Sequence, residues 1–319
     1  MSRRRKHEKS RKRLVYGAIV VAFILVCFLI YFSPHSSPPK VAIVDHLSFF
    51  PEQCNQAFVN SCINILEEGG LTWTYHKGKE VTVNFYRNLP SCGTSLIILR
   101  VHSAIMRTEN ETISILGLFT SERFSIEAAK KYSEDVLHDR LVEAFFSPEE
   151  RAQNISYFGI VPKFIEESMK GKFTDTIIVM MGCEGLGYIN VSTGARVTYT
   201  NIAEAFIKKG AKVYISWDGP VIINHTDQAT IHLLQRLILK ERTIKEAVEQ
   251  TNYDVHPDPT YNSTLHYYPN TPEVENYTIP NLKNSLITHV THTSPTAKAP
   301  TKTKYRAYRQ RQNPVKTVL

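Results

Sequence analysis

Two β-branched apolar runs constrain this chain more than any other feature. Residues Thr176 to Gly185 read Thr-Ile-Ile-Val-Met-Met-Gly-Cys-Glu-Gly, and Ser95 to Ser103 read Ser-Leu-Ile-Ile-Leu-Arg-Val-His-Ser. Continuous apolar runs of this length, closed by turn residues, predict strands buried on both faces. Such strands belong to parallel sheets covered by helices. Each run carries one chemically competent residue at its carboxyl end, Cys183 on one and His102 on the other. Reactive groups of open α/β sheets collect at the carboxyl ends of strands, so the pair is a candidate nucleophile and general base. Taken singly, a buried cysteine is ordinarily an inert small hydrophobe and a histidine at a strand end a solvated turn residue. The matched placement is what raises the pair above that reading.

The rest of the chain repeats the rhythm. Lys40 to His46 predicts a first strand, Pro51 to Glu68 a helix stopped by Gly69-Gly70, and Leu71 to His76 a second strand. Lys79 to Pro90 reads as a short strand or the start of a crossover. Between His102 and Cys183, Thr112 to Thr120 predicts a strand or hairpin arm, Ser125 to Phe146 a helix, and Pro162 to Met169 a helix opened by proline. After the cysteine, Asn201 to Lys209 reads as an amphipathic helix, Ala211 to Gly219 as a strand, and Asp227 to Leu239 and Thr243 to Gln250 as helices. Alternating strands and helices predict an α/β domain with a mostly parallel central sheet over residues 40–252.

Residues 14–32 form an uncharged apolar run, long enough at about 1.5 Å per residue to cross a bilayer core of about 30 Å. The basic segment 1–13 precedes it and no such flank follows, which predicts a signal-anchor with a cytoplasmic N-terminus and everything beyond residue 32 outside. No small-residue cleavage pattern follows the run, against a removed signal peptide. Residues 33–39 are a Ser/Pro linker, and residues 253–319 a C-terminal extension, disordered by composition beyond about 280. Six sequons, beginning at Asn110, Asn154, Asn190, Asn224, Asn262 and Asn276, fit an external, glycosylated domain.

The net charge of +8 is concentrated at the two ends of the chain and is not interleaved with a nucleic-acid fold signature, so no nucleic-acid partner is expected. Outside the membrane run stand Cys54, Cys62, Cys92 and Cys183. Cys54 and Cys62 on one helix would lie about 12 Å apart, beyond disulfide reach, so the disulfide framework is weak. His46, His76, His138, His225 and His232 lack paired ligand spacing, and no metal or cofactor is assigned.

Arg100-Val101-His102-Ser103, Met181-Gly182-Cys183-Glu184-Gly185 and the segment from Ala203 to Trp217 resemble the caspase-like cysteine peptidases, a group that includes caspases, gingipains, separases and CHAT domains. The resemblance covers residues 40–252 and implies a three-layer α/β sandwich, here preceded by one transmembrane helix. It implies a Cys183/His102 dyad acting on a peptide or protein substrate, with the backbone N–H groups of Cys183 and Ser103 holding the oxyanion. Ser103 stands where the group usually has glycine. Asp45 and Asp218 end flanking strands that often line the specificity pocket in that group, which would favour Lys or Arg before the scissile bond; as plain sequence they also read as caps or turn residues. Glu184 reads either as a substrate contact or as a turn residue. The competing function is a non-catalytic surface receptor or binding module on the same scaffold.

Overall fold

The computed structural model describes residues 40–107, 113–190 and 193–279. The chain divides between Ser37 and Pro38 into two units, and the described residues belong to the second. The apolar run 14–32, the linker 33–39 and the tail beyond 280 lie outside the described residues. Among the described residues no helix is long and apolar enough to cross a membrane.

The strands are β1 (Lys40–Asp45), β2 (Thr72–Lys77), β3 (Leu96–Arg100), β4 (Ser103–Arg107), β5 (Ile113–Arg123), β6 (Leu141–Ala144), β7 (Tyr157–Ile160), β8 (Ile177–Met180), β9 (Gly187–Ile189), β10 (Arg196–Thr198), β11 (Val213–Trp217) and β12 (Leu265–Tyr268). Six of them form the central sheet in the order β12-β11-β8-β3-β1-β2, parallel throughout except for β12, which runs antiparallel to β11. The apolar runs of β1, β3, β8 and β11 are buried along their length, as a sheet covered on both faces requires.

Side chains alternate between two cores. Ile43, Ile98, Val179 and Ile215 face Phe58, Leu66, Leu233 and Leu237 on one side. Val44, Leu99, Met180 and Tyr214 face Tyr86, Phe164 and Phe206 on the other. The arrangement is compatible with a three-layer α/β/α sandwich.

Helix Gln56–Glu68 shows why the local sequence folds as it does. Asn55 caps it by accepting from Phe58 N, and Phe58, Val59, Cys62, Ile65 and Leu66 fall on one buried stripe. It ends where Gly70 turns left-handed at φ 68°, and a side chain on Gly69 would collide with Ile238 at 2.2 Å. Residues Pro51–Gln53, expected in the same helix, form a separate 3-10 turn.

Other expectations need correction. Of the two readings of Lys79 to Pro90 the crossover holds and the strand does not: between β2 and β3, Val83–Asn88 is a helix capped by Thr82. The stretch from Ser125 to Phe146 is not one helix, but two short ones, Ile126–Lys131 and Ser133–Leu137, followed by β6. With β4, β5 and β7 it builds a second, four-stranded antiparallel sheet in the order β4-β5-β7-β6. The packed α/β fold also continues past residue 252, because β12 joins the central sheet and Leu265, Val274 and Ile279 enter its core.

Buried charge stands at the carboxyl edge of this sheet. Arg100, fully enclosed at the end of β3, donates from Nε and Nη2 to the two carboxylate oxygens of Asp227 (2.8 and 2.9 Å) and from Nη1 to Asp45 (2.9 Å). Nη1 and Nη2 also donate to the Gln53 carbonyl at 3.1 Å each. Burial opposes the guanidinium charge, but the hydrogen bonds and attraction of Asp227 and Asp45 outweigh it and hold the pKa above the ordinary arginine value. Removing one partner of such a cluster strands buried charge, so Arg100→Leu is expected to lower unfolding free energy by roughly 3–5 kcal/mol. Urea denaturation checks this; a loss below about 1 kcal/mol would mean that the cluster does not hold the sheet edge together.

Candidate active site

The register of the central sheet determines where the two reactive residues emerge. β3 and β8 are parallel neighbours with Leu99 opposite Met180. His102 and Cys183 each lie three positions beyond those paired residues, at the same carboxyl edge of the sheet.

The turn that carries Cys183 is pressed against its neighbours. A side chain on Gly182 would stand 2.4 Å from Ser103 Oγ and 2.7 Å from the Val101 carbonyl, and one on Gly185 would stand 2.1 Å from Ser216 Oγ. Between them Glu184 takes a left-handed backbone at φ 62°, which non-glycine residues seldom adopt. Ser103 Oγ donates to the Cys183 carbonyl at 2.7 Å, and Glu184 N donates to the Gly219 carbonyl at 2.9 Å. The sequence Met-Gly-Cys-Glu-Gly is thus what allows a turn to pass this close to the ends of β3 and β11.

Ser103 begins β4 and needs no glycine, since it is not among the residues with positive φ. Phe119 N donates to the His102 carbonyl at 3.0 Å, which makes Ser103 and Leu118 a non-hydrogen-bonded pair of the β4–β5 ladder. The Ser103 N–H therefore points away from β5. Ile105 faces the same side, and its N–H donates to the Glu184 carboxylate at 3.3 Å, so that side of β4 looks onto the cysteine turn.

The two reactive side chains occupy different surroundings. Cys183 retains partial exposure and packs with the core layer of Met181, Trp217 and Val221; Val221 N approaches its sulfur at 3.5 Å and the Val221 carbonyl lies at 3.7 Å. Enclosure pushes the thiol up to about 11, with Glu184 and Asp258 adding repulsion and the Val221 contact opposing them. The His102 ring lies against Phe119 (5.0 Å between centroids) and Phe146 (5.1 Å), and burial lowers its pKa to about 4. The thiol and the imidazole make no hydrogen bond to each other. At neutral pH both are uncharged.

The remaining sequence-derived candidates divide clearly. Asp45 is enclosed: Oδ1 accepts from Arg100 and Ser48 N, and Oδ2 from Tyr75 OH, so both oxygens are used inside the protein. Asp218 lies at the same edge as Cys183 and is paired with Arg196 at 2.7 Å. Glu184 braces the cysteine turn against β4. Asn154, Asn224, Asn262 and Asn276 are exposed, Asn190 is partly buried and accepts from Thr193 N, and Asn110 lies outside the described residues. Cys54, Cys62, Cys92 and Cys183 are all free thiols.

Three participants were not singled out from sequence. Arg100 fixes the strand that leads to His102, and its signal was a charge inside an apolar run. His46, fully enclosed beyond β1, stacks on Phe146 at 5.6 Å, the ring that His102 also touches. Asp258, with Tyr261 nearby, brings a segment from beyond residue 252 close enough to influence the thiol. Neither protein-family models nor curated proteins give a match to this chain.

The paired histidines generate a pH dependence. His46 is lowered to about 3 by burial and then by repulsion from His102, and His102 to about 4 by burial, whereas unfolded histidine titrates near 6.5. Between about pH 6.5 and 4 the unfolded chain binds more protons, so stability falls as pH falls through this window. Urea midpoints measured from pH 7.5 to 4.5 should decline, and His46→Phe should flatten the decline. An unchanged slope in that variant would refute the assignment.

Proposed function

We propose that the chain is a membrane-anchored, extracytoplasmic cysteine endopeptidase of the caspase-like type, with Cys183 as nucleophile and His102 as general base. The observation that carries this reading is the register: the sheet is mostly parallel, Leu99 pairs with Met180, and each of the two residues lies three positions beyond that pair, at the same carboxyl edge. The apolar run 14–32 would span the bilayer, the basic segment 1–13 would stay in the cytoplasm, and the sequon-bearing domain would lie outside.

Both groups start uncharged, so the dyad would work as a neutral pair rather than a preformed thiolate–imidazolium. A rotation of the Cys183 side chain away from Val221 would turn the sulfur toward His102. As sulfur attacks the peptide carbonyl, the thiol proton passes to the imidazole; the C–N bond then breaks and that proton goes to the leaving amine. Water, deprotonated by His102, would release the acyl group and restore the thiol. The outward-facing N–H of Ser103 is the better supported oxyanion donor, with the N–H of Cys183 as its partner. Enclosure of His102 by Phe119 and Phe146 favours the uncharged base that this scheme needs.

A second reading, a non-catalytic binding module on the same scaffold, is favoured by one observation: the resting thiol is engaged with Val221 and raised to about 11. Full-length protein in detergent, assayed on a panel of fluorogenic peptides, separates the two. The peptidase reading expects cleavage that falls by at least about a thousandfold in both Cys183→Ala and His102→Ala. Undiminished cleavage in Cys183→Ala, or an inert wild type across the panel, would reject it in favour of the binding module.

A further inference from the structure

The antiparallel sheet turns one face to the core and leaves the other outside it. Leu116, Leu118, Phe158 and Ile160 point inward and are buried. On the outer face Ala104 stands opposite Gly117, and Phe119 opposite Gly159, which in turn pairs with Val142. A cavity of about 390 Å³ opens there, floored by Ala104, Gly117, Val142 and Ala144 and walled by Phe119 and Phe145. Small-molecule sites run from roughly 300 to 1,000 Å³, so this volume suits a small occupant. Phe119 also packs against the His102 ring at 5.0 Å, yet neither His102 nor Cys183 lines the cavity.

Two observations separate this cavity from an idle surface hollow. The first is Gly117. Its φ is not positive, and a side chain there would meet nothing closer than the Ile160 carbonyl and a Val142 methyl, both at 3.8 Å. By contrast, Gly182 and Gly185 are hemmed in by atoms at 2.4 and 2.1 Å. Neither backbone nor packing requires glycine at 117, although glycine weakens a strand interior; what it leaves is open volume of the kind that marks close approach by another molecule.

The second is a pair of opposite charges that do not use each other. Arg151, from the short helix Pro148–Ala152, rests its guanidinium over the Phe145 ring at 5.2 Å and forms no ion pair among the described residues. Glu143, on β6, accepts from Ser156 Oγ through Oε1 at 2.6 Å, and its other oxygen has no hydrogen bond among the described residues. Both side chains line the cavity. A guanidinium over an aromatic ring keeps its edge N–H groups free to grip a carboxylate, and the glutamate offers an acceptor to a cation.

We propose that this cavity binds a free apolar α-amino acid as its zwitterion, with the α-carboxylate on Arg151, the α-ammonium on Glu143 and the side chain on the floor at Gly117, against Phe119. A simple carboxylate would gain Arg151 but be repelled by Glu143, and a simple amine would meet the reverse. The terminus of a protein chain supplies only one of the two charges. The site needs neither a membrane anchor nor peptidase activity.

Isothermal titration calorimetry on the full-length protein in detergent tests this with L-phenylalanine, 3-phenylpropionate and 2-phenylethylamine, which share a ring and differ in their charged groups, and with L-leucine for an aliphatic side chain. L-Phenylalanine should bind at least about tenfold more tightly than either analogue, and Arg151→Gln and Glu143→Gln, both at exposed positions, should each weaken it at least about tenfold. Gly117→Leu, which fills the floor, should abolish binding; should it fail to fold, Gly117→Ala, whose methyl has room, takes its place with a smaller loss. No binding of either amino acid at millimolar concentration, equal binding of an analogue, or unchanged binding in folded Arg151→Gln or Glu143→Gln overturns the proposal.

Discussion

A buried guanidinium sets the geometry of the reactive edge. Arg100 engages the carboxyl end of β1 through Asp45, the loop after it through the Gln53 carbonyl, and helix Ile223–Leu234 through Asp227. Each of its N–H groups has an acceptor, which is the condition under which a charge tolerates such enclosure. Since Arg100 is the last residue of β3, the position of His102 two residues later depends on this cluster. A hydrophobic replacement could fill the space, but it could not tie three separate segments to one strand end.

The enclosure that orders the edge also sets its chemistry. Phe119, Phe146, Phe50 and Tyr157 pack around His46 and His102, so a protonated imidazole is disfavoured there. Cys183 packs against the apolar layer of Met181, Trp217 and Val221, so its thiolate is disfavoured too. Neither group is activated at rest. If the proposed dyad acts, its proton moves only when a carbonyl is under attack, with Ser103 and the glycines beside Cys183 holding the backbone in place meanwhile.

Much of the central sheet was legible because fully buried strands leave continuous β-branched runs, as in Leu-Ile-Ile-Leu and Ile-Ile-Val-Met. The second sheet was less so. β6, Leu-Val-Glu-Ala, is short and of mixed polarity, and only the turn around the left-handed Asp139 separates it from two helices, so its composition read as a continuation of the helical stretch. β12 escaped because Leu-His-Tyr-Tyr lies in a polar, proline-rich stretch, and only its pairing with β11 makes a strand of it. At the site, Cys183 and His102 were legible from their places at strand ends. What engages the neighbouring carboxylates was not: the use of Asp45 by Arg100 and of Asp218 by Arg196 joins residues that are distant in sequence and carry no local signature of each other.

The proposed chemistry needs the Cys183 sulfur and the His102 imidazole to act together. The most direct measurement is the rate of covalent labelling of Cys183 by a peptidyl electrophile as a function of pH, in wild-type protein and in His102→Ala. A working dyad gives labelling at neutral pH that depends on a group titrating well below the thiol and that drops at least about a hundredfold when the imidazole is removed. Equal rates in the two proteins, both rising only as an isolated thiol with a pKa of about 11 ionises, would contradict it.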